Sequence, residues 1–259
     1  MATVLTSSTT AGLDDPIGWQ VWQVLTVVVA ATLLTVGIVR SLRTRRLDVL
    51  LLMTISGASA FWLETYGDWG GYVLYSPRFA QVTWWGPTPW TSPVKAWWFI
   101  AGYAFFYPAI YGLMLGALRI VRSRRPSVNP YIAAVVLAFP VFYVFDLIFE
   151  GTTTALGYWT YTYSFGPHLS IGKGSFPLLW PVILQAPFLA LAGIALIWRD
   201  DRGRDVFHRV AARAREGWPR ELAVAGGWIV ATNLALILTV EGPMVALRLL
   251  AGPPSNLVP

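Results

Sequence analysis

Glu64 and Asp68, Asp146 and Glu150, and Glu241 are five carboxyls set in or at the edge of long apolar stretches of a 259-residue chain. The first two pairs share i,i+4 spacing, which puts both members on one face if a helix runs through them. Like charges so placed repel, and a poorly solvated setting favours the protonated acid. A proton held at neutral pH is what a general acid needs, and an ionised neighbour can stabilise a cation or take the proton back. Glu64 and Asp146 lie deepest and are the first candidates for proton donor and cation partner; Asp68, Glu150 and Glu241 would tune them. The plainer alternatives are that Asp68 and Glu150 cap helix ends in headgroup water, and that the other three serve interhelical hydrogen bonds. Ionisable residues within membrane spans default to function.

Other chemistries have less to work with. There is no Cys, which removes disulfides, thiolate nucleophiles, iron–sulfur clusters and Cys-ligated zinc. Two His leave little for a metal site, and neither a metal nor a cofactor is expected. His168 could join the carboxyls as a base, but a lone loop histidine is more often neither base nor ligand; His208 sits among arginines as a solvated residue. Ile171-Gly172-Lys173-Gly174-Ser175 lacks the full phosphate-loop pattern and a preceding strand, so it is not read as a nucleotide site.

The elements that must carry the acids are apolar helices. Of the residues, 56% are hydrophobic and 12% charged, where a soluble domain carries about 25% charged. Disorder and a solvated surface are thereby excluded. Six stretches are long enough to cross a bilayer: 17–39, 47–66, 94–118, 131–150, 176–198 and 222–247. The expected fold is an all-α polytopic bundle of about six transmembrane helices, a single domain over residues 1–259. The stretch before Ile17 is polar and has no basic start, so no removable signal peptide is expected.

Arginines orient the bundle. Arg40, Arg43, Arg45 and Arg46 follow span one, Arg119, Arg122, Arg124 and Arg125 follow span three, and seven more from Arg199 to Arg220 fill the loop after span five. By the positive-inside rule these loops are cytoplasmic, the membrane is the cell membrane, and both termini lie outside. The net charge of +6 is then a topology signal, and no nucleic-acid partner is expected. The segment Phe207–Arg215 could lie on anionic lipid as a short basic helix. On this orientation the five acids fall at one depth. Glu64 is roughly 24 Å up from Asp48, Glu150 roughly 28 Å up from Tyr131, and Glu241 roughly 30 Å up from Glu221.

Two outer segments, Gly67–Pro93 and Gly151–Ser175, are rich in Trp, Tyr, Gly and Pro and poor in charge. An interfacial aromatic belt explains any one ring, but loops this long are often functional. A lid over an acid-lined pocket would place Trp62, Tyr66, Trp69, Tyr72, Trp90, Tyr158, Tyr161 and His168 against an apolar or lipid-like substrate. A weak internal echo links Glu64-x-x-x-Asp68…Gly71-Tyr72 with Asp146-x-x-x-Glu150…Gly157-Tyr158. Pro108, Pro140, Pro181, Pro187 and Pro243 fall inside spans, where they kink helices.

The run Trp62-Leu63-Glu64…Asp68-Trp69…Tyr75-Ser76-Pro77…Trp85-Gly86-Pro87…Pro89-Trp90-Thr91-Ser92-Pro93, with Asp146-Leu147-Ile148-Phe149-Glu150…Gly157-Tyr158-Trp159-Thr160-Tyr161, resembles the avermectin spirocyclase family of actinobacterial multi-pass membrane proteins. The resemblance implies formation of a spiroketal from a dihydroxy-ketone, with dehydration in some members, and an acid role for Glu64, Asp68, Asp146 and Glu150. Glu241 rests on depth alone. The same equipment would suit an integral-membrane terpene cyclase protonating an epoxide or alkene. A proton-coupled transporter and a non-catalytic lipid- or partner-binding subunit are the readings outside enzymology. The oligomeric state is not legible.

Overall fold

The computed structural model describes residues 3–4, 11–86 and 88–259, and helices dominate it. In chain order they are α1 (Trp19–Thr44), α2 (Val49–Ser59), α3 (Phe61–Gly70), α4 (Trp98–Arg124), α5 (Pro130–Ala155), α6 (Ala186–Ile197), α7 (Val206–Val210), α8 (Trp218–Leu236) and α9 (Gly242–Ala251). Single π turns, Pro181–Gln185 and Ile237–Glu241, lead into α6 and join α8 to α9. Four segments are long and apolar enough to cross a membrane: α1, α4, α5 and the continuous Trp218–Ala251. A fifth results if α2 and α3, bent by 49°, form one broken span. The sixth expected span is the shorter apolar helix Pro181–Ile197, roughly 26 Å long against a hydrocarbon core of about 30 Å.

Local chemistry sets the ends and the break. The Asp48 carboxylate accepts from Leu50 N at 2.9 Å and starts α2; the Asn129 side chain accepts from Tyr131 N at 2.9 Å, with Pro130 in the first turn of α5. Ser56 and Ser59 donate back to the carbonyls of Met53 and Ser56, at 3.2 and 2.7 Å, which bends helices. Asn233 on α8 donates to Ser59 Oγ at 2.9 Å and holds the bend. α4 is central, packed against α1, α2, α5 and α6. Between spans there is little hydrophobic drive, so close approach depends on small residues. Gly57 is one such: a Cβ there would meet the Tyr103 carbonyl at 2.5 Å.

The aromatic outer segments begin a few residues later than expected and are partly regular. α3 runs on to Gly70 and α5 to Ala155. Six short strands are formed among the described residues: β1 (Thr3–Val4), β2 (Val73–Tyr75), β3 (Trp159–Tyr161), β4 (Tyr163–Ser164), β5 (His168–Ile171) and β6 (Gly174–Pro177). They pair antiparallel as β1–β4, β2–β3 and β5–β6. In β2–β3, Val73 faces Tyr161 and Tyr75 faces Trp159, so the two outer segments are clasped to each other. Gly157, at φ +83°, makes the turn into β3; a side chain there would strike the Gly12 carbonyl.

At the arginine-rich end His208 is more engaged than a solvated residue. Its Nδ1 lies 2.9 Å from the Asp205 carboxylate, and its Nε2 lies 3.8 Å from Glu221. Glu221 is buried and accepts from Leu47 N at 2.7 Å, joining two arginine-rich connections. Phe207 packs at a tilt on Trp228 with centroids 4.9 Å apart, docking the short basic helix on the bundle.

Candidate active site

One cavity between the ends of α3, α4, α5, the clasp β2–β3 and the α8–α9 break is lined by Glu64, Asp68, Asp146, Glu150 and Glu241 together. It encloses about 740 Å³ of atom-free space, part of it open. That is room for several waters. Tyr75, Trp98, Tyr103, Phe106, Tyr107, Phe149, Trp159 and Tyr161 supply most of the wall, with Gln185 the one neutral amide. Neither Lys nor Arg lines it. Among the described residues, no three His, Asp or Glu side chains converge closely enough to hold a metal ion.

The carboxyls divide into two kinds. Glu64 accepts from two phenols, Tyr75 at 2.5 Å and Tyr103. Glu150 Oε2 accepts from Trp159 Nε1 at 2.6 Å and from Tyr161 at 3.3 Å. Burial holds the phenols of Tyr75 and Tyr161, both on the clasp, well above their ordinary pKa, so they stay donors at neutral pH. Asp146 and Glu241 accept no hydrogen bond from the described residues, and Asp68 Oδ2 is buried with none. The nearest described cation is set back: Lys95 is buried, donates to the Ser92 carbonyl at 3.0 Å and lies 5.9 Å from the Trp85 ring. Burial pulls its ammonium pKa below the usual value, against the pull of the Asp68 charge.

Glycine and proline bring Glu241 in. A Cβ on Gly67 would occupy the space of the Glu241 carboxyl, so that carboxyl lies directly on α3. Pro243 has no N–H to give, and the register slips so that Gly242 N donates to the Ile237 carbonyl five residues back.

Of the aromatic residues expected to meet substrate, Tyr161 lines the cavity and the others do not. Trp62 is 38% exposed on the outer face of α3, where its Nε1 donates to Asn233 at 3.0 Å and Tyr66 packs on it edge-on. Trp69 and Tyr72 instead sandwich Arg248, whose guanidinium carbon lies 3.9 and 4.3 Å from their ring centroids. Both also donate to the C-terminal segment: Trp69 to the Pro259 carbonyl at 2.6 Å and Tyr72 to Pro253 at 2.7 Å. Trp90 is exposed at φ +61°. Tyr158 packs behind the wall on Trp22 and Phe79, and His168 pairs opposite Pro177 in β5–β6.

The lining residues missed include Tyr75, Trp98, Tyr103, Tyr107, Phe149, Trp159 and Gln185. Tyr103 and Tyr107 repeat the i,i+4 spacing of the acids within one apolar span, a signal that was available. Gln185 precedes Pro187 by two, as Glu241 precedes Pro243.

Comparison with known proteins adds one decisive match. The family described as Spirocyclase AveC-like matches residues 42–259. The chain belongs to this family. All five carboxyls and both clasp strands lie inside the matched region. No curated protein and no solved structure matches the chain. Membership supports a cyclase-type function in a helical membrane protein.

Proposed function

We propose that the chain is an integral-membrane cyclase that closes an apolar keto-diol to a spiroketal by carboxyl acid–base catalysis. One observation carries this reading: five carboxyls from α3, α5 and the α8–α9 break line a single aromatic cavity without a lining cation. One hydroxyl of the substrate adds to the ketone to give a hemiketal. An unpartnered carboxyl, Asp146 or Glu241, gives a proton to the hemiketal hydroxyl, which leaves as water. The resulting oxocarbenium is held between the fixed oxygens of Glu64 and Glu150 and the faces of Trp98, Trp159 and Phe149. The second hydroxyl adds to the cation and passes its proton back to a carboxylate. One water is lost and no oxidant is consumed. In the membrane the arginine-rich end faces the cytoplasm, the cavity sits in the outer half, and the substrate arrives from the lipid.

The test is turnover of a long-chain keto-diol by purified protein in lipid nanodiscs, with spiroketal quantified by chiral gas chromatography. Conversion is expected, and E64Q, D146N, E150Q and E241Q should each lower kcat by about 10²–10⁴. A lipid-facing control, Leu222→Ala, should match wild type. A polyprenyl epoxide offered in parallel separates terpenoid chemistry. Absence of spiroketal, or undiminished turnover in all four variants, defeats the proposal.

A further inference from the structure

The two π turns are a matched pair. Each precedes a proline, Pro187 or Pro243, whose missing N–H breaks the α ladder, and each closes on a bond to the carbonyl five residues back: Ala186 N to Pro181 and Gly242 N to Ile237. The turns touch one another across the bundle. Each ends on a polar residue that lines the cavity, Gln185 on one side and Glu241 on the other. Single π turns in helices are frequent at functional sites.

Gln185 is the one carboxamide on the wall. Its amide carries both donors and an acceptor, and it has no hydrogen-bond partner among the described residues. A structural glutamine in an apolar bundle would be satisfied by a neighbouring carbonyl or hydroxyl, since an unpaired amide in such a setting costs free energy. Here the amide is half-buried and turned to a cavity.

We infer that Gln185 is a specificity-determining residue that binds the substrate's oxygen atoms and fixes which face of the reacting carbon the second hydroxyl attacks; this rests on the spiroketal reading above. Its Nε2–H donates to the ketone or hemiketal ring oxygen, and its Oε1 accepts from the attacking hydroxyl. A free oxocarbenium is open on both faces. A hydroxyl held by Gln185, with Glu241 opposite, reaches only one, and the new spiro carbon takes one configuration.

The experiment compares wild type, Q185L and Q185E in nanodiscs. The substrate is a keto-diol with one fixed stereocentre, so that the two spiro configurations are separable. Binding is measured in parallel by tryptophan quenching with the matching mono-hydroxy ketone, which cannot form a spiroketal. Wild type should give one configuration in large excess. Q185L should raise KM about tenfold with kcat within threefold, weaken mono-hydroxy ketone binding to a similar degree, and bring the two configurations towards equal amounts. Q185E keeps an acceptor and should retain part of the selectivity. A folded Q185L with wild-type KM, affinity and product ratio overturns the inference while leaving the cyclase reading intact. If wild type binds the ketone but makes no spiroketal, the cyclase reading falls, and equal ketone affinity in wild type and Q185L would overturn Gln185 as well.

Discussion

Glu64 is held by two hydroxyls that reach it from different elements, Tyr75 on β2 and Tyr103 on α4. A hydrogen bond to a charged partner contributes about 1.5–3 kcal/mol. Tyr103→Phe should therefore lower the thermal midpoint in detergent by a few degrees and cut turnover at least tenfold, and the double variant with Tyr75→Phe should lose more than either alone. Gly67→Ala is a sharper probe. The added methyl displaces the Glu241 carboxyl, the flexible end of a side chain, so scanning calorimetry should find the fold nearly as stable while turnover collapses towards that of E241Q. An unchanged turnover in G67A would remove Glu241 from the mechanism. The acids were readable because intramembrane charge is rare and their spacing is helical. The aromatic partners were less readable, for a geometric reason. Trp62 and Tyr66 lie two residues either side of Glu64, about 200° around the helix, and so face away from what Glu64 faces. Trp69 and Tyr72 were drawn off by Arg248, which nothing in their local sequence announces.

At the scale of elements, charge foretold more than register did. Asp48 and Asn129 mark helix starts by side-chain chemistry that any chain shares, and the arginines mark where spans end. The prolines at 187 and 243 signal irregularity, but a kink and a π turn satisfy the same missing N–H, and only the neighbouring helices choose between them. The β2–β3 clasp was illegible because its strands are three residues long and lie far apart in sequence. Pro243→Ala restores a donor and should let the α8–α9 segment return to α register, turning Glu241 about 100° from its present direction. The expected result is an equal or higher thermal midpoint with at least tenfold lower turnover, a combination that simple unfolding cannot produce. A P243A variant with full turnover would mean the π turn is incidental.

For the whole molecule, two expectations concern how the bundle sits and how it is held shut. The chain has no cysteine, so single cysteines at Arg45 and Trp84 can be labelled without background. With the arginine-rich end in the cytoplasm, a membrane-impermeant maleimide added to intact cells should modify the Trp84 position and spare the Arg45 position; the reverse pattern would invert the proposed orientation. Arg248, buried between Trp69 and Tyr72, also donates to the Trp69 and Val258 carbonyls and so ties α9, α3 and residues 253–259 together. Desolvated cation–π pairs contribute about 2 kcal/mol or more. Arg248→Met should lower the thermal midpoint and expose residues 253–259 to limited proteolysis, and an R248M protein as protease-resistant as wild type would count against that tie. The α8–α9 break that supplies Glu241 also has a meaning in time. At about 5–20 residues per second, ribosomes need roughly 10–35 s to pass from Glu64 to Glu241. Through that interval α3, joined part-way by α5, must shelter its carboxyls without the last wall. A newborn bundle is therefore an unfinished vessel, and whatever guards it during synthesis has to withdraw only when the final helix turns in.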